Sequence, residues 1–212
     1  MMRSEAIQII KRGLGFRQTQ DAAIIAALKQ AQRDAELGQT LPNWLLTFGE
    51  PMVTAANQRI ATLPPGFIRF HEEYPMYYVN ADGAQVSLVR RNSMEALDAY
   101  GEHQSDSRYP QVFVLLNKTQ VAYVPTPQAA LTVYVHYYKA AETLDSDVEN
   151  AWLRYAPNYL IGMAGVHVAG DVRDRGAADK FNRMATIGHK ALIGDIVEDE
   201  LAGRPLVMGR NN

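Results

Sequence analysis

The chain has 212 residues, 47% of them hydrophobic and 21% charged, enough to bury a sizeable core in one domain with an insertion or in two small domains. A formal net charge of -2 excludes the global basic field of a nucleic-acid wrapper, so tight sequence-reading DNA binding is not expected. The absence of cysteine removes disulfides, thiol catalysis and cysteine metal sites, and no apolar run approaches the ~20 residues of a membrane span.

Met1 to Lys11 carry an acidic Glu5 and no small-residue cleavage site, so a signal peptide is not expected. Ser4 is placed to cap a short helix with Ile7, Ile10 and Leu14 at helical spacing and Gly13 and Gly15 at its end. Thr19 is placed to cap a second helix, with Ile24, Leu28, Ala31 and Ala35 on its buried face and Gly38 as its stop. Beyond the apolar run Trp44-Leu45-Leu46 the period changes to two. Arg59 to Leu63 predicts a short strand, Pro64-Pro65-Gly66 a turn, and Met76 to Val79 with Gln85 to Val89 a hairpin around Asn80 to Gly83. Asn92 and Ser93 can cap a short helix with Met94, Leu97 and Tyr100, and Gly101 to Tyr109 reads as a mobile polar loop. A second hairpin is predicted from Gln111 to Leu116 and Gln120 to Val124. The clearest strand is Leu131 to Tyr138, with Leu131, Val133, Val135 and Tyr137 alternating against Thr132, Tyr134, His136 and Tyr138.

From Asp147 to Ala202 the pattern is helical again. Ser146 and Glu149 have capping-box spacing, and Val148, Trp152, Tyr155, Tyr159, Met163 and Val166 fall on one stripe, which predicts that the stripe is buried. Pro157 predicts a break at Ala156, because it lacks an N–H and its ring clashes with the carbonyl four residues back. Phe181, Met184, Gly188, Leu192 and Ile196 form a second stripe, and the small residues Gly162, Ala164, Gly165, Ala169, Ala185, Gly188, Ala191 and Gly194 predict that the two helices pack closely and antiparallel. Asp195, Glu198, Asp199 and Glu200 stand at a helix C-terminus, where the macrodipole prefers cations. They read either as a solvated acidic face partly offset by Arg204 or as a contact with a neighbouring subunit. The tail that follows cannot continue the helix through Pro205, and its apolar Leu206, Val207 and Met208 dock either on their own body or on a partner.

The expected fold is therefore α+β: mainly a helical bundle built from residues 1–40 and 141–202, with a small antiparallel β-rich insertion at 41–140 and an extended tail at 203–212.

Chemistry is harder to find. Gly13-Leu14-Gly15 is followed by Gln18 where a dinucleotide fingerprint needs glycine, and no Walker, zincin or nucleophile-elbow motif is present. The histidines at 71, 103, 136, 167 and 189 fall on different elements without metal-ligand spacing, so no metal or cofactor is expected. His71-Glu72-Glu73 is the one acid/base cluster, and adjacent strand residues point to opposite faces, so it reads as solvated loop charge. Tyr74, Tyr77, Tyr78, Tyr123, Tyr134, Tyr137 and Tyr138 crowd the β region. A β-layer core accounts for about half of them, and the rest suit a subunit or partner surface.

The order and spacing of several segments, none diagnostic alone, resemble the head-to-tail adaptor (connector) proteins of tailed bacteriophages. They are the Ala-rich helix Asp21 to Glu36, Leu41-Pro42-Asn43-Trp44-Leu45-Leu46, Leu63-Pro64-Pro65-Gly66-Phe67, Val121-Ala122-Tyr123-Val124-Pro125-Thr126-Pro127, Tyr137-Tyr138-Lys139, Asn150-Ala151-Trp152-Leu153 and Ala156-Pro157-Asn158-Tyr159-Leu160. The Leu206-Val207-Met208-Gly209 ending is similar to the family's tail as well. The resemblance implies a structural virion protein, not an enzyme, assembled in the host cytoplasm as a homo-oligomeric ring, twelve-fold to match the portal. Such a ring extends the DNA channel used in genome packaging and ejection, passes DNA without sequence-specific binding, and gives tail or nozzle proteins their platform. It implies portal docking by the tail, with Arg204, Pro205, Leu206, Val207, Met208 and Arg210 as contacts, and places Asp195, Glu198, Asp199 and Glu200 at a subunit interface or the channel. The alternatives are a virion-associated cell-wall hydrolase, which needs paired carboxylates in a cleft, and an α+β interaction module from outside the viral setting.

Overall fold

The computed structural model describes residues 1–16, 20–92 and 109–202, with 198–202 as backbone only. The chain divides into two compact units, one joining Met1–Leu45 to the chain from Ala141 onward and the other spanning Leu46–Ala140.

In the first unit the elements are α1 (Arg3–Gly13), α2 (Asp21–Glu36), a 3-10 turn (Asn43–Leu45), α3 (Ala151–Tyr155), α4 (Pro157–Asp171) and α5 (Arg175–Ala202). Ser4 lies inside the first turn of α1 instead of capping it. Its N–H donates to Asp147 Oδ1 at 2.8 Å, and Glu5 accepts the Met2 N–H at 2.8 Å, so orphan donors are met partly from a distant segment. Arg3 donates to the Leu144 and Asp145 carbonyls, which holds the same segment against α1. Thr19 lies outside the described residues.

The segment committed in this way stays non-helical through Glu149, so the helix expected from Ser146 begins instead at Ala151. Asn150 is its cap, accepting the Trp152 and Leu153 N–H groups on Oδ1. The chain breaks at Ala156 (φ -133°, ψ 49°), and Pro157 opens α4 at the position where a missing N–H costs least. The stripe predicted to be buried is only partly so: Trp152 is buried, but Val148 and Tyr155 are exposed. The buried residues of α4 are instead Leu160, Ile161, Gly162, Ala164, Gly165, Val168 and Ala169, because this helix is central and packs on α1, α2, α3 and α5.

Three glycines set the α4–α5 approach. A Cβ at Gly162 would stand 2.4 Å from the Ala185 nitrogen, one at Gly165 2.3 Å from the Phe181 ring, and one at Gly188 2.3 Å from the Tyr159 nitrogen. These pairings run in opposite sequence directions, so the two helices are antiparallel.

The second unit overturns the expectation of a mainly helical bundle with a small β insertion. Among the described residues it holds nine strands in two sheets: β1 (Leu46–Thr54), β2 (Ile60–Thr62), β3 (Phe67–Phe70), β4 (Met76–Val79), β5 (Gln85–Ser87), β6 (Val89–Arg91), β7 (Val112–Asn117), β8 (Gln120–Val124) and β9 (Leu131–Lys139). β9 is the axis of a five-stranded sheet, with β1 along one side and β4 and β3 sharing the other; β5 extends it beyond β4. The second sheet runs β2-β8-β7-β6, and its β6–β7 pair is parallel, so the unit is not purely antiparallel as expected. Phe113, Val121 and Tyr123 of this sheet share one core with Met76, Val133, Val135 and Tyr137 of the other. Phe70 meets Phe113 edge to face at 5.1 Å. The short helix expected from Ser93, with Met94, Leu97 and Tyr100, and the polar loop before Tyr109 fall outside the described residues.

Candidate interaction surfaces

Several residues of the segments that carried the resemblance do structural work, most of them in the helical unit. Asn150 is fully buried and donates from Nδ2 to Gln32 Oε1 at 3.2 Å and to the Glu142 carbonyl. Glu36 Oε1 accepts the Trp152 indole N–H at 3.1 Å, the Ala141 N–H at 3.0 Å and the Gln32 amide at 2.9 Å. Every polar group of this knot that is buried therefore has a partner, the condition under which such a network favours folding. Trp44 stacks on Tyr155 at 5.3 Å and meets Trp152 edge-on at 4.8 Å. Gly66, at φ +77°, makes the turn after Pro64-Pro65, and its carbonyl accepts the Ala140 N–H at 2.7 Å.

Three surfaces remain as candidates for contact. The first is the outer face of the five-stranded sheet. Of the seven tyrosines singled out in the β region, Tyr78, Tyr123 and Tyr137 are buried, Tyr74 is exposed and Tyr77, Tyr134 and Tyr138 are half-buried. Tyr77 stacks on Tyr134 at 5.1 Å and on His136 at 5.4 Å, and a bulge in β1 between Thr47 and Glu50 adds Phe48, 68% exposed and 5.3 Å from the His136 ring. Gly49, at φ +64°, makes that bulge possible and donates its N–H to His136 Nδ1 at 3.2 Å. Burial and, to a smaller extent, the charge of His71 hold the His136 pKa below the usual histidine value. On the other face Tyr137 donates to Glu50, and burial, with that carboxylate, pushes its phenol above the usual range.

His71, the centre of the acid/base cluster, lies beside Phe48 and accepts the Tyr74 N–H at 3.3 Å. Glu72 and Glu73 are both exposed between β3 and β4, as solvated loop charges are. Among the described residues no three His, Asp or Glu side chains gather where one metal ion could bind them.

The second surface is a groove of about 610 Å³ in the helical unit, lined from α1, the start of α4 and α5. Ile9, Phe181, Met184 and Ile187 make it apolar, and Arg12, Lys180 and Arg183 are its charged residues; among the described residues no carboxylate lines it. The sequence reading missed it because its residues come from three separate elements. Within α5 alone a signal was present, since Lys180 and Arg183 flank Phe181 and Met184 at helical spacing.

The third is the far end of α5. Asp195 is exposed there, and Glu198, Asp199 and Glu200 follow it on the helix backbone. Ile193 and Val197, one turn apart, are 43% and 46% exposed. The remaining predicted contacts, Arg204, Pro205, Leu206, Val207, Met208 and Arg210, lie outside the described residues.

No helix among the described residues is long and apolar enough to cross a membrane. No curated protein matches the sequence. The family model described as SU10 adaptor protein does match, over residues 3–209, which takes in both units and every segment of the resemblance. The chain belongs to the SU10 adaptor family, and is thus a structural adaptor component of a bacteriophage virion.

Proposed function

We propose that this adaptor assembles as a homo-oligomeric ring, twelve-fold, between the portal and the tail of its phage. The ring extends the DNA channel for packaging and ejection and carries tail or nozzle proteins on its far side. The observation that supports this reading is the family match across nearly the whole chain. The near-neutral charge suits the role. A conduit must not grip the duplex, and each phosphate neutralised by a cation adds to salt-dependent binding, so a subunit with net charge -2 lets DNA slide without sequence-specific contact.

Within this reading the tail from Gly203 to Arg210 docks on the portal through Leu206, Val207 and Met208, with Arg204, Pro205 and Arg210 beside them. Asp195, Glu198, Asp199 and Glu200 meet a neighbouring subunit or the channel. Native mass spectrometry of the chain, alone and mixed with the portal protein of its own genome neighbourhood, tests the proposal. The expected result is a ring on the portal, lost when residues 206–212 are deleted. A monomer indifferent to portal would sink the proposal.

A further inference from the structure

The groove on the helical unit and the far end of α5 both offer apolar side chains and carry opposite charge. The groove is concave and apolar, Arg12, Lys180 and Arg183 are among its lining residues, and no carboxylate of the described residues lines it. The helix end offers Ile193 and Val197 exposed one turn apart, and holds four acidic residues, Asp195 and Glu198 to Glu200, with no cation between Lys190 and Arg204. Those acids stand at a C-terminus, where the helix's own dipole opposes them, so an external group of cations would relieve a local conflict.

Both surfaces draw on one helix. Lys180 to Ile187 and Ile193 to Glu200 have centres about 20 Å apart along α5, and a continuous helix cannot fold back on itself to join them. We infer that the groove of each subunit receives the acidic end of α5 from a second copy of the chain, in a head-to-tail contact that leaves each copy one groove to fill and one end to dock. Such heterologous contacts close into a ring when the rotation permits and otherwise run on as a filament. A closed ring has no rise between neighbours, so places about 20 Å apart on α5 meet only if that helix lies strongly inclined to the ring axis. The chain's own tail is the competing occupant, but Arg204 and Arg210 give it the groove's sign of charge.

This inference rests on the ring reading above and refines it to named surfaces. It is tested with two folded variants of the full chain. Lys180→Glu with Arg183→Glu makes the groove acidic like the helix end; Glu198→Lys with Asp199→Lys makes the end basic like the groove. Each alone is expected to self-associate roughly 10- to 100-fold more weakly than the parent, because like charges meet at the contact. Mixed in equal amounts they restore assembly in strict alternation, since each groove then faces an end of opposite charge. Native mass spectrometry reads both results, as the two variants differ in mass.

A ring of the parent chain on its portal that survives both reversals unchanged overturns the contact and leaves the ring proposal standing; a parent chain that never assembles sinks the ring proposal itself. In that second case the absence of cysteine allows a direct decision on the contact. Chains carrying Ile187→Cys are mixed at high concentration with chains carrying Val197→Cys and treated with a bis-maleimide shorter than the ~15 Å that separates these positions on one helix. Covalent pairs that require both variants, and that persist after residues 203–212 are deleted, support the contact. Failure to form them, or their appearance only when the tail is removed, overturns it.

Discussion

The two units of this adaptor are held together by opposite uses of side-chain size. In the helical unit α4 and α5 touch where side chains are missing: at Gly162 and Gly188 the backbone of the other helix fills the space, and at Gly165 the Phe181 ring does. In the sheet unit the two layers meet through large rings, with Phe113, Tyr123 and Tyr137 among the most completely buried side chains. The first unit should therefore fail when a methyl group is added and the second when a ring is removed.

The largest expected effect is on the ring side. Phe113 is fully buried and lies edge to face against Phe70, so Phe113→Ala removes a ring from a core that closes only partly around the gap. The expected loss is about 3 to 5 kcal/mol, measured as the change in urea unfolding free energy at constant slope. A loss below about 1 kcal/mol would mean that the layers are not packed through this residue.

On the helix side, Gly188→Ala drives a Cβ to 2.3 Å from the Tyr159 nitrogen and 2.8 Å from the Asn158 carbonyl carbon, both backbone atoms that cannot swing away. The substitution should cost about 1 to 3 kcal/mol even though alanine favours the helix intrinsically by ~1 kcal/mol. Gly194 supplies the control. Nothing lies within 4 Å of the Cβ it would gain, so Gly194→Ala should stabilise the chain by up to ~1 kcal/mol. Opposite signs at two glycines of one helix separate close packing from propensity, and equal signs would refute the close approach.

Asn150 tests how the helical unit is tied at its polar knot. Asn150→Ala removes the cap of α3 and leaves Gln32 Oε1 and the Glu142 carbonyl without this donor, for an expected cost of about 1 to 3 kcal/mol. Asn150→Ser should recover the capping share only, because its hydroxyl can accept from the Trp152 N–H but is too short to span the knot.

How much of this was legible in the sequence follows from the same contrast. The close α4–α5 pair was readable because glycine inside a helical pattern is unfavourable unless a neighbour needs the space; of the four glycines expected at the contact, Gly162, Gly165 and Gly188 lie on it, whereas Gly194 faces open space. The hairpins around Asn80 and Thr119 and the strand β9 were readable from alternation and turn residues. The weight of the sheet unit was not. β1 is interrupted by Gly49 and Pro51, which are tolerated because it is an edge strand with a bulge; β3 buries its two end residues and not alternate ones; β6 is three exposed residues. The helix cap was misplaced because Ser146 and Glu149 match a capping box locally, while the buried Asn150, whose partners Gln32 and Glu142 lie partly outside any local window, does the capping. The groove was invisible for the same reason: Arg12 and Lys180 are far apart in sequence.

The smallest expected effect lies on the outer face of the sheet, where the aromatic residues are not core. Gly49 N–H reaches His136 Nδ1, Phe48 and Tyr77 cover its ring, and burial and then the His71 charge hold its pKa below the ordinary value. A base whose folded pKa is depressed is neutral in both states above its unfolded value of about 6.5, so its contribution is complete there. As pH falls below that value the unfolded chain takes the proton first, and stability declines until the folded histidine also titrates. The drop should be smaller than about 1 kcal/mol, because the ring is half-buried and solvent screens its neighbours. His136→Gln should flatten this part of the pH profile, and His71→Gln should move the His136 imidazole titration, followed by NMR, toward higher pH. An unmoved titration would mean that burial alone lowers His136, and that the two histidines on this face do not sense each other.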